Sequence, residues 1–277
     1  MKIDIMICTS CRPTEIALLL QSLRTQTFQD FDIYIMDDRS GVPLNNYHFL
    51  IMLMNRLKLE NHRVILWRND IRYGVTKLRQ IVVDRIMNEG RGEAILRLDD
   101  DNLLEPDYIE RLVKVLDSGY DIASGLVPPL GMPFIKRDTK FVKPFIADIQ
   151  LNEDGSIKIF NDDCGMEYLQ KEIIPSPHFR SMALIKKKVH EKVKYEQTLG
   201  FCSYREEEFF SFKALDAGFK IGVDTGAIAY HLQTPSGGER TSEYASGFTR
   251  NDERLNELAK EIFKKSGDFI KKYKEKL

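Results

Sequence analysis

Ala94-Ile95-Leu96-Arg97-Leu98-Asp99-Asp100-Asp101-Asn102 is the stretch from which the chain is read. Four of its first five residues are apolar, as in a buried strand, and the run passes without a spacer into three carboxylates. A core does not take such charges. They belong where the strand leaves the sheet, the edge at which open α/β sheets bind ligands. Adjacent acids repel one another unless a cation compensates them. Magnesium or manganese suits one or two carboxylates and keeps open positions for phosphate oxygens. The other reading is a solvated acidic turn, with Asp and Asn capping the next helix.

Upstream the same arrangement repeats. Residues 3–8 form a first strand ending at Thr9-Ser10, and Pro13 opens a helix with Ile16, Leu19, Leu20 and Leu23 on one face. A second strand, 31–36, ends in Asp37-Asp38-Arg39-Ser40-Gly41, another acidic pair at a strand terminus. A helix over 47–59, a strand over 64–67, and a helix after Gly74 with Leu78, Ile81, Val82 and Ile86 inward lead to the organising strand. Beyond it Pro106 opens a helix that Gly119 closes. Strands alternating with helices predict a doubly wound, mostly parallel α/β sheet over residues 1–126.

After Val127 the periodicity is broken by Pro128, Pro129, Gly131 and Pro133. Residues 146–160 read as a β-hairpin about Asn152-Glu153-Asp154-Gly155, expected to extend the same sheet. A strand over 179–185, helices over 188–194 and 205–217, and a strand pair over 219–223 and 227–230 follow, leading to His231 and the loop Thr234-Pro235-Ser236-Gly237-Gly238. From 251 to 277, Leu255, Leu258, Ile262, Phe263, Phe269, Ile270 and Tyr273 mark one face of an amphipathic helix whose other face carries lysines. That face fits packing on the domain, self-association, or peripheral contact with an anionic membrane where a lipid-linked acceptor would lie.

The chain of 277 residues is long enough for one large domain or a domain with an appended subdomain. Lys and Arg number 41 against 42 Asp and Glu, so charge argues against a nucleic-acid partner. Cys8 and Cys11 have no second pair at zinc-ligand spacing, and with Cys164 and Cys202 they are read as reduced thiols of a cytoplasmic protein. No segment reaches the roughly 18 uninterrupted apolar residues of a membrane span.

Taken together, Thr9-Ser10 with Arg12-Pro13, Ser22-Leu23-Arg24-Thr25-Gln26-Thr27-Phe28, Ile35-Met36-Asp37-Asp38-Arg39-Ser40, Leu98-Asp99-Asp100-Asp101-Asn102 and Glu105-Pro106-Asp107-Tyr108-Ile109 resemble a family 2 glycosyltransferase of the GT-A fold. The resemblance is strongest over 1–126. It implies a single domain over 1–250, with a nucleotide-sugar-binding half at 1–126 and an acceptor half at 127–250, followed by the helix at 251–277. It also implies transfer of a sugar from a nucleotide-diphosphate donor, UDP-linked in the first instance, to a hydroxyl of a glycan, lipid-linked or protein acceptor, with inversion and with Mn2+ or Mg2+.

By the same resemblance Thr9, Asp38, Arg79, Asp99 and Asp100 fall at the nucleotide, with Asp38 on the base. Asp101 and His231 fall at the metal, with the D-x-D frame open between 99/101 and 100/101. Arg240, after Gly237-Gly238-Glu239, falls on a loop over the diphosphate. Glu206-Glu207 precede Gly218-Phe219 as the family's acidic pair precedes its Ala-Gly-aromatic, which makes Glu207, or its neighbour Glu206, the base for the acceptor hydroxyl. Acids at a helix start are also good helix design. His48, His62, His178 and His190 have no such context and are read as structural.

Three other classes fit the sequence less well. A sugar nucleotidyltransferase would carry a glycine-rich loop after the first strand, and Thr9 to Thr14 contains no Gly. A haloacid-dehalogenase-type phosphatase would place its D-x-D after the first strand and not a later one. A non-catalytic nucleotide-sugar-binding module would need neither Glu206 nor Glu207.

Overall fold

Ile3, Ile5 and Ile7 alternate with Asp4, Met6 and Cys8, so the first strand, β1 (Ile3–Thr9), must bury both faces. The computed structural model describes the backbone of residues 1–131, 135–137, 147–151, 157–161, 166–168, 171–199, 203–237 and 244–265. In it the isoleucines of β1 pack in one cluster with Leu19, Leu20, Leu23, Leu57 and Leu112, while Met6 joins Leu78, Val82, Ile86 and Phe210 in a second cluster across the sheet.

The elements alternate as expected through α1 (Pro13–Arg24), β2 (Phe31–Asp37), α2 (His48–Leu59), β3 (Val64–Arg68), α3 (Val75–Glu89), β4 (Ala94–Asp99), β5 (Asn102–Leu104), α4 (Tyr108–Asp117) and β6 (Ile122–Leu126). There follow β7 (Ile135–Arg137), β8 (Ala147–Leu151), β9 (Ile157–Asn161), β10 (Met166–Tyr168), β11 (Ile173–Pro175), β12 (Ala183–Lys186), α5 (Lys187–Lys192), α6 (Glu206–Asp216), β13 (Ile221–His231) and α7 (Tyr244–Lys265). The main sheet runs β3-β2-β1-β4-β12-β6-β13-β11, with β5 added against β13. Strands β1 to β4 are mutually parallel, β12 lies antiparallel between β4 and β6, and β13 is parallel to β6. The sheet is therefore mixed and mostly parallel.

Register places the site. Thr9 pairs with Asp37 and Cys8 with Asp99, so the carboxyl ends of β1, β2 and β4 finish at one edge. Opposite them β13 ends with His231 paired to Asn102, and the Leu232 amide donates to the Asp101 carbonyl at 2.9 Å. Gln26 closes the structure behind this edge. It donates to the Glu105 carbonyl at 2.9 Å and accepts from the Ile109 amide at 3.1 Å, tying the end of α1 to the start of α4.

Several expectations need correction. The hairpin strands β8 and β9 pair with each other, and β7 with β10, as separate two-stranded sheets and not as extensions of the main one; the hairpin's turn lies outside the described residues. The strand pair expected at 219–223 and 227–230 is one strand, β13, whose register against β6 shifts between Val223 and Ile228. Such an irregularity breaks side-chain alternation, which is what made one strand read as two. The strand expected to start at 179 starts at Ala183, after Ser181 takes a positive φ of 59°. Short β5 had no counterpart among the expected elements, because three residues give no period to detect.

The first part of the C-terminal face is occupied. Leu255, Ala259 and Ile262 on α7 pack on Leu199, Phe209 and Phe212. Fully buried Asn251 donates to the Leu199 and Tyr204 carbonyls, and Asp252 pairs with Arg205 at the start of α6. Over 251–262 the helix is thus a packing element; Phe269, Ile270 and Tyr273 lie outside the described residues. No helix among the described residues is long and apolar enough to cross a membrane. Leu255→Ala is expected to lower the unfolding free energy by about 2–5 kcal/mol, read from urea melts, since it opens a cavity in a small cluster. A loss under about 0.5 kcal/mol would mean that α7 is not held this way.

Candidate functional site

One open cleft at the strand ends is lined by Cys8, Thr9, Ser10, Arg12, Asp38, Gly74, Val75, Leu78, Arg79, Asp99, Asp100, Asp101 and His231. It gathers the residues flagged after β1, β2, β4 and β13. Glu206 and Glu207 stand beside it and reach it through two arginines. Arg240 lies outside the described residues.

At one end Asp38 is buried and folds the loop that opens α3. Its carboxylate accepts from Asn69 Nδ2 at 3.0 Å, from the Tyr73 amide at 3.1 Å and from the Gly74 amide at 3.1 Å. These bonds occupy much of the acceptor capacity that a base contact would draw on. Gly74 has φ 80°, which a side chain would strain.

In the middle Asp99 accepts from Arg79 Nη2 at 2.5 Å and from the Ser181 hydroxyl. Burial pushes its carboxyl up, but Arg79, Arg97 and Ser181 outweigh that and hold it below its ordinary value. Arg79 also contacts Glu206. Arg97, on β4, donates through Nη2 to Glu206 at 2.9 Å and to Glu207 at 2.7 Å. The two glutamates therefore differ. Glu206 is 4% exposed and shared between two guanidiniums, whereas the Glu207 side chain is 23% exposed and paired with Arg97.

At the far end Arg12 Nη1 bridges Asp100 at 2.8 Å and Asp101 at 2.9 Å, while its Nε donates to the Ser236 carbonyl at 3.3 Å. Gly237 lies against this arginine, and a Cβ there would meet Arg12 Cγ at 2.6 Å. Burial lifts Asp100 to about 6 against the pull of Arg12. His231 Nε2 lies 3.2 Å from Asp101 Oδ2, and that hydrogen bond raises the imidazole above its ordinary value. Burial pushes the Cys8 thiol up to about 12, so it stays protonated and is no nucleophile. Cys8 and Cys11 are free thiols; Cys164 and Cys202 lie outside the described residues.

The donor set bears on a divalent ion in two ways. Five carboxylates (Asp99, Asp100, Asp101, Glu206, Glu207) face three guanidiniums (Arg12, Arg79, Arg97), an acidic excess that a cation would offset. Yet no group of three or more His, Cys, Asp or Glu among the described residues could hold a metal by itself. Asp101 and His231 supply two ligands of suitable chemistry. These residues fit an ion that completes its shell with diphosphate oxygens and water, the usual mode for magnesium.

Cys11, Arg39, Asn61, Ser181, Ser203, Arg205 and Gln233 have positive φ, and of these Cys11 lies between the cleft-lining Ser10 and Arg12. Sequence reasoning did not assign Arg97, Ser181 or Asn69, and it saw Arg12 only as part of a motif. A charged residue inside an apolar strand was the signal available for Arg97; Ser181 and Asn69 carried none.

The sequence model described as "Glycosyl transferase family 2" matches residues 4–192. Among solved structures, TarS 1-349 of S. aureus superposes with a TM-score of 0.59 at 16% identity, covering 94% of this chain and 65% of that one. The same segment in complex with UDP-GlcNAc superposes with a TM-score of 0.58 at 15% identity, over 94% and 66%. GalNAc-T7 with UDP, GalNAc and Mn2+ gives 0.64 at 17% identity, over 90% of this chain and 47% of that one. At such identities the likeness is one of fold. The chain spans 37% of the longer TarS chain and 65% of its 1-349 segment.

Arg12→Met is expected to cost about 3–5 kcal/mol at pH 8, because it strands two buried carboxylates. Asp100 has a folded-state value above its ordinary one, so its contribution to stability is present at low pH and lost as pH rises through about 6. The deficit of Arg12→Met should accordingly shrink at pH 5. Urea melts at both pH values read it, and an equal deficit would show that Arg12 does not compensate Asp100.

Proposed function

The chain belongs to glycosyl transferase family 2, and from that membership and its GT-A fold we propose that it moves a sugar from a UDP-linked donor to an acceptor hydroxyl with inversion. One observation carries the reading. The strand-end residues Thr9, Asp38, Asp99, Asp100, Asp101 and His231 share a single cleft, with Glu207 held at its side. The UDP-GlcNAc complex of the S. aureus neighbour supports a UDP-sugar in the corresponding place here.

In this reading the nucleoside lies toward Asp38 and Thr9, and the diphosphate lies over Asp99 to Asp101, with Arg12 and Arg240 as charge-assisted donors to it. Asp101 and His231 hold the divalent ion, which when bound offsets the negative charge building on the departing diphosphate. Either D-x-D frame leaves Asp101 as ligand. Asp99, fixed by Arg79 and Ser181, faces the ribose side.

Glu207 is the base. The acceptor oxygen forms a bond to the anomeric carbon as the carbon–oxygen bond to the diphosphate breaks on the opposite face, and the hydroxyl proton passes to the Glu207 carboxylate. Burial between two arginines suits Glu206 to support, and greater exposure suits Glu207 to meet an acceptor. We read 1–250 as the transferase domain, with 1–126 taking the donor and 127–250 the acceptor, which is a glycan, lipid-linked or protein hydroxyl. With 251–262 already packed, a membrane or partner contact of the C-terminal segment falls to residues beyond it.

Calorimetry with UDP is expected to show binding at least about tenfold tighter with manganese than with chelator, a difference of roughly 1.4 kcal/mol. Asp101→Ala binding as well as the parent would remove Asp101 from the metal. Glu207→Gln is expected to lower transfer, or donor hydrolysis, by about 10²–10⁴-fold while leaving UDP affinity within about twofold. Full turnover in that variant beside an inactive Glu206→Gln would move the base by one residue.

A further inference from the structure

Arg97 sits mid-strand in β4 with 0% exposure, where a guanidinium is costly unless paired. Alternate residues of a strand share a face, so Arg97 and Asp99 stand with Ile95 on the side of α3 and α6, while Leu96 and Leu98 pack in the opposite cluster. Phe179 and Tyr195 lie against the guanidinium, their ring centroids 5.5 and 5.8 Å from its central carbon. Its hydrogen bonds among the described residues all leave from Nη2, to Glu206 and Glu207; Nε and Nη1 find no partner there. For packing alone an apolar side chain of similar volume would do as well or better.

We infer that Arg97 is a positioning residue for the reaction, fixing the Glu207 carboxylate beside the donor cleft and linking it through Glu206 and Arg79 to Asp99. The inference rests on the reading of Glu207 as base. A free Glu side chain has three rotatable bonds, and a base must lie within hydrogen-bond reach of the proton it takes. Arg97 removes that freedom from a rigid strand, its head held by two rings. Two further features separate this from simple neutralisation of a buried acid. Glu206 keeps Arg79 if Arg97 is lost, whereas the cation that Glu207 pairs with among the described residues is Arg97. The chain of contacts also ends on Asp99, so donor-side and acceptor-side carboxylates are set by one network.

The test uses full-length Arg97→Met and Arg97→Lys. Release of UDP from UDP-N-acetylglucosamine is followed against pH, UDP binding with manganese is measured by calorimetry, and the Glu207 carboxyl is titrated by carbon-13 NMR, assigned with Glu207→Gln. Arg97→Met should lower kcat about 10²-fold or more, the scale of a misplaced catalytic group, with UDP affinity within about twofold. The acid limb of kcat/KM and the Glu207 titration should both move to higher pH, because the carboxylate loses a neighbouring positive charge. In a Glu207→Gln background Arg97→Met should add no further loss, and Arg97→Lys should recover part of the rate.

An unmoved Glu207 titration, a kcat within about threefold of the parent, or an equal further loss in the Glu207→Gln background overturns the inference. If Arg97→Met does not fold, Arg97→Lys decides it, since loss of the two-carboxylate contact should cost rate at an unchanged acid limb and full rate is the contrary result. Without turnover on this donor, the NMR titration decides alone. Turnover of Glu207→Gln like the parent defeats the base reading itself. An inactive Glu207→Gln beside a fully active Arg97→Met defeats only the role of Arg97.

Discussion

Charge compensation at the end of β4 is the constraint on which the rest of the structure depends. Asp99, Asp100 and Asp101 follow one another at a buried strand end, and each buried carboxylate without a partner would cost several kcal/mol. Arg12 and Arg79 pair with them, and Arg97 pairs with the two glutamates that stand beside them. Arg12 comes from the turn before α1, Arg79 from α3, and Arg97 from β4 itself. Because each guanidinium reaches a second group, pairing the acids also binds the elements together. Arg12 holds the Ser236 carbonyl of the loop after β13, and Arg79 and Arg97 hold the start of α6.

Compensation is nonetheless incomplete, and this connects stability to function. Burial lifts Asp100 to about 6 even with Arg12 in contact, and His231 is drawn toward its charged form by Asp101. The site therefore favours positive charge. The unrelieved acid is what a preorganised site costs in stability.

The start of α6 depends on a long reach through the chain. Glu206 and Glu207 open α6, where the helix dipole favours negative charge, but the dipole alone does not orient a side chain. Orientation comes from Arg97 in front and from α7 behind. Arg205, at positive φ, bonds Asp252 and Glu208, and Asn251 holds the Tyr204 carbonyl. Packing of Leu255 and Ile262 against Phe209 and Phe212 then fixes the helix that carries the glutamates.

The sequence by itself determined the alternation of strands and helices over residues 1–126, the three strand-end acid and hydroxyl sets, and their likeness to one enzyme family. Those signals are local: apolar period, turn residues and short motifs survive without knowledge of the fold. It could not show that the hairpin at 147–161 forms its own sheet, that residues 221–231 make one irregular strand, or that Asp38 is braced by the loop before α3. It named Glu206 and Glu207 without separating them. Only the tertiary structure separates them, because the difference lies in which arginines approach from β4 and α3, more than a hundred residues away in the chain. Pairing over such distances depends on register and packing, for which a linear pattern holds no signal.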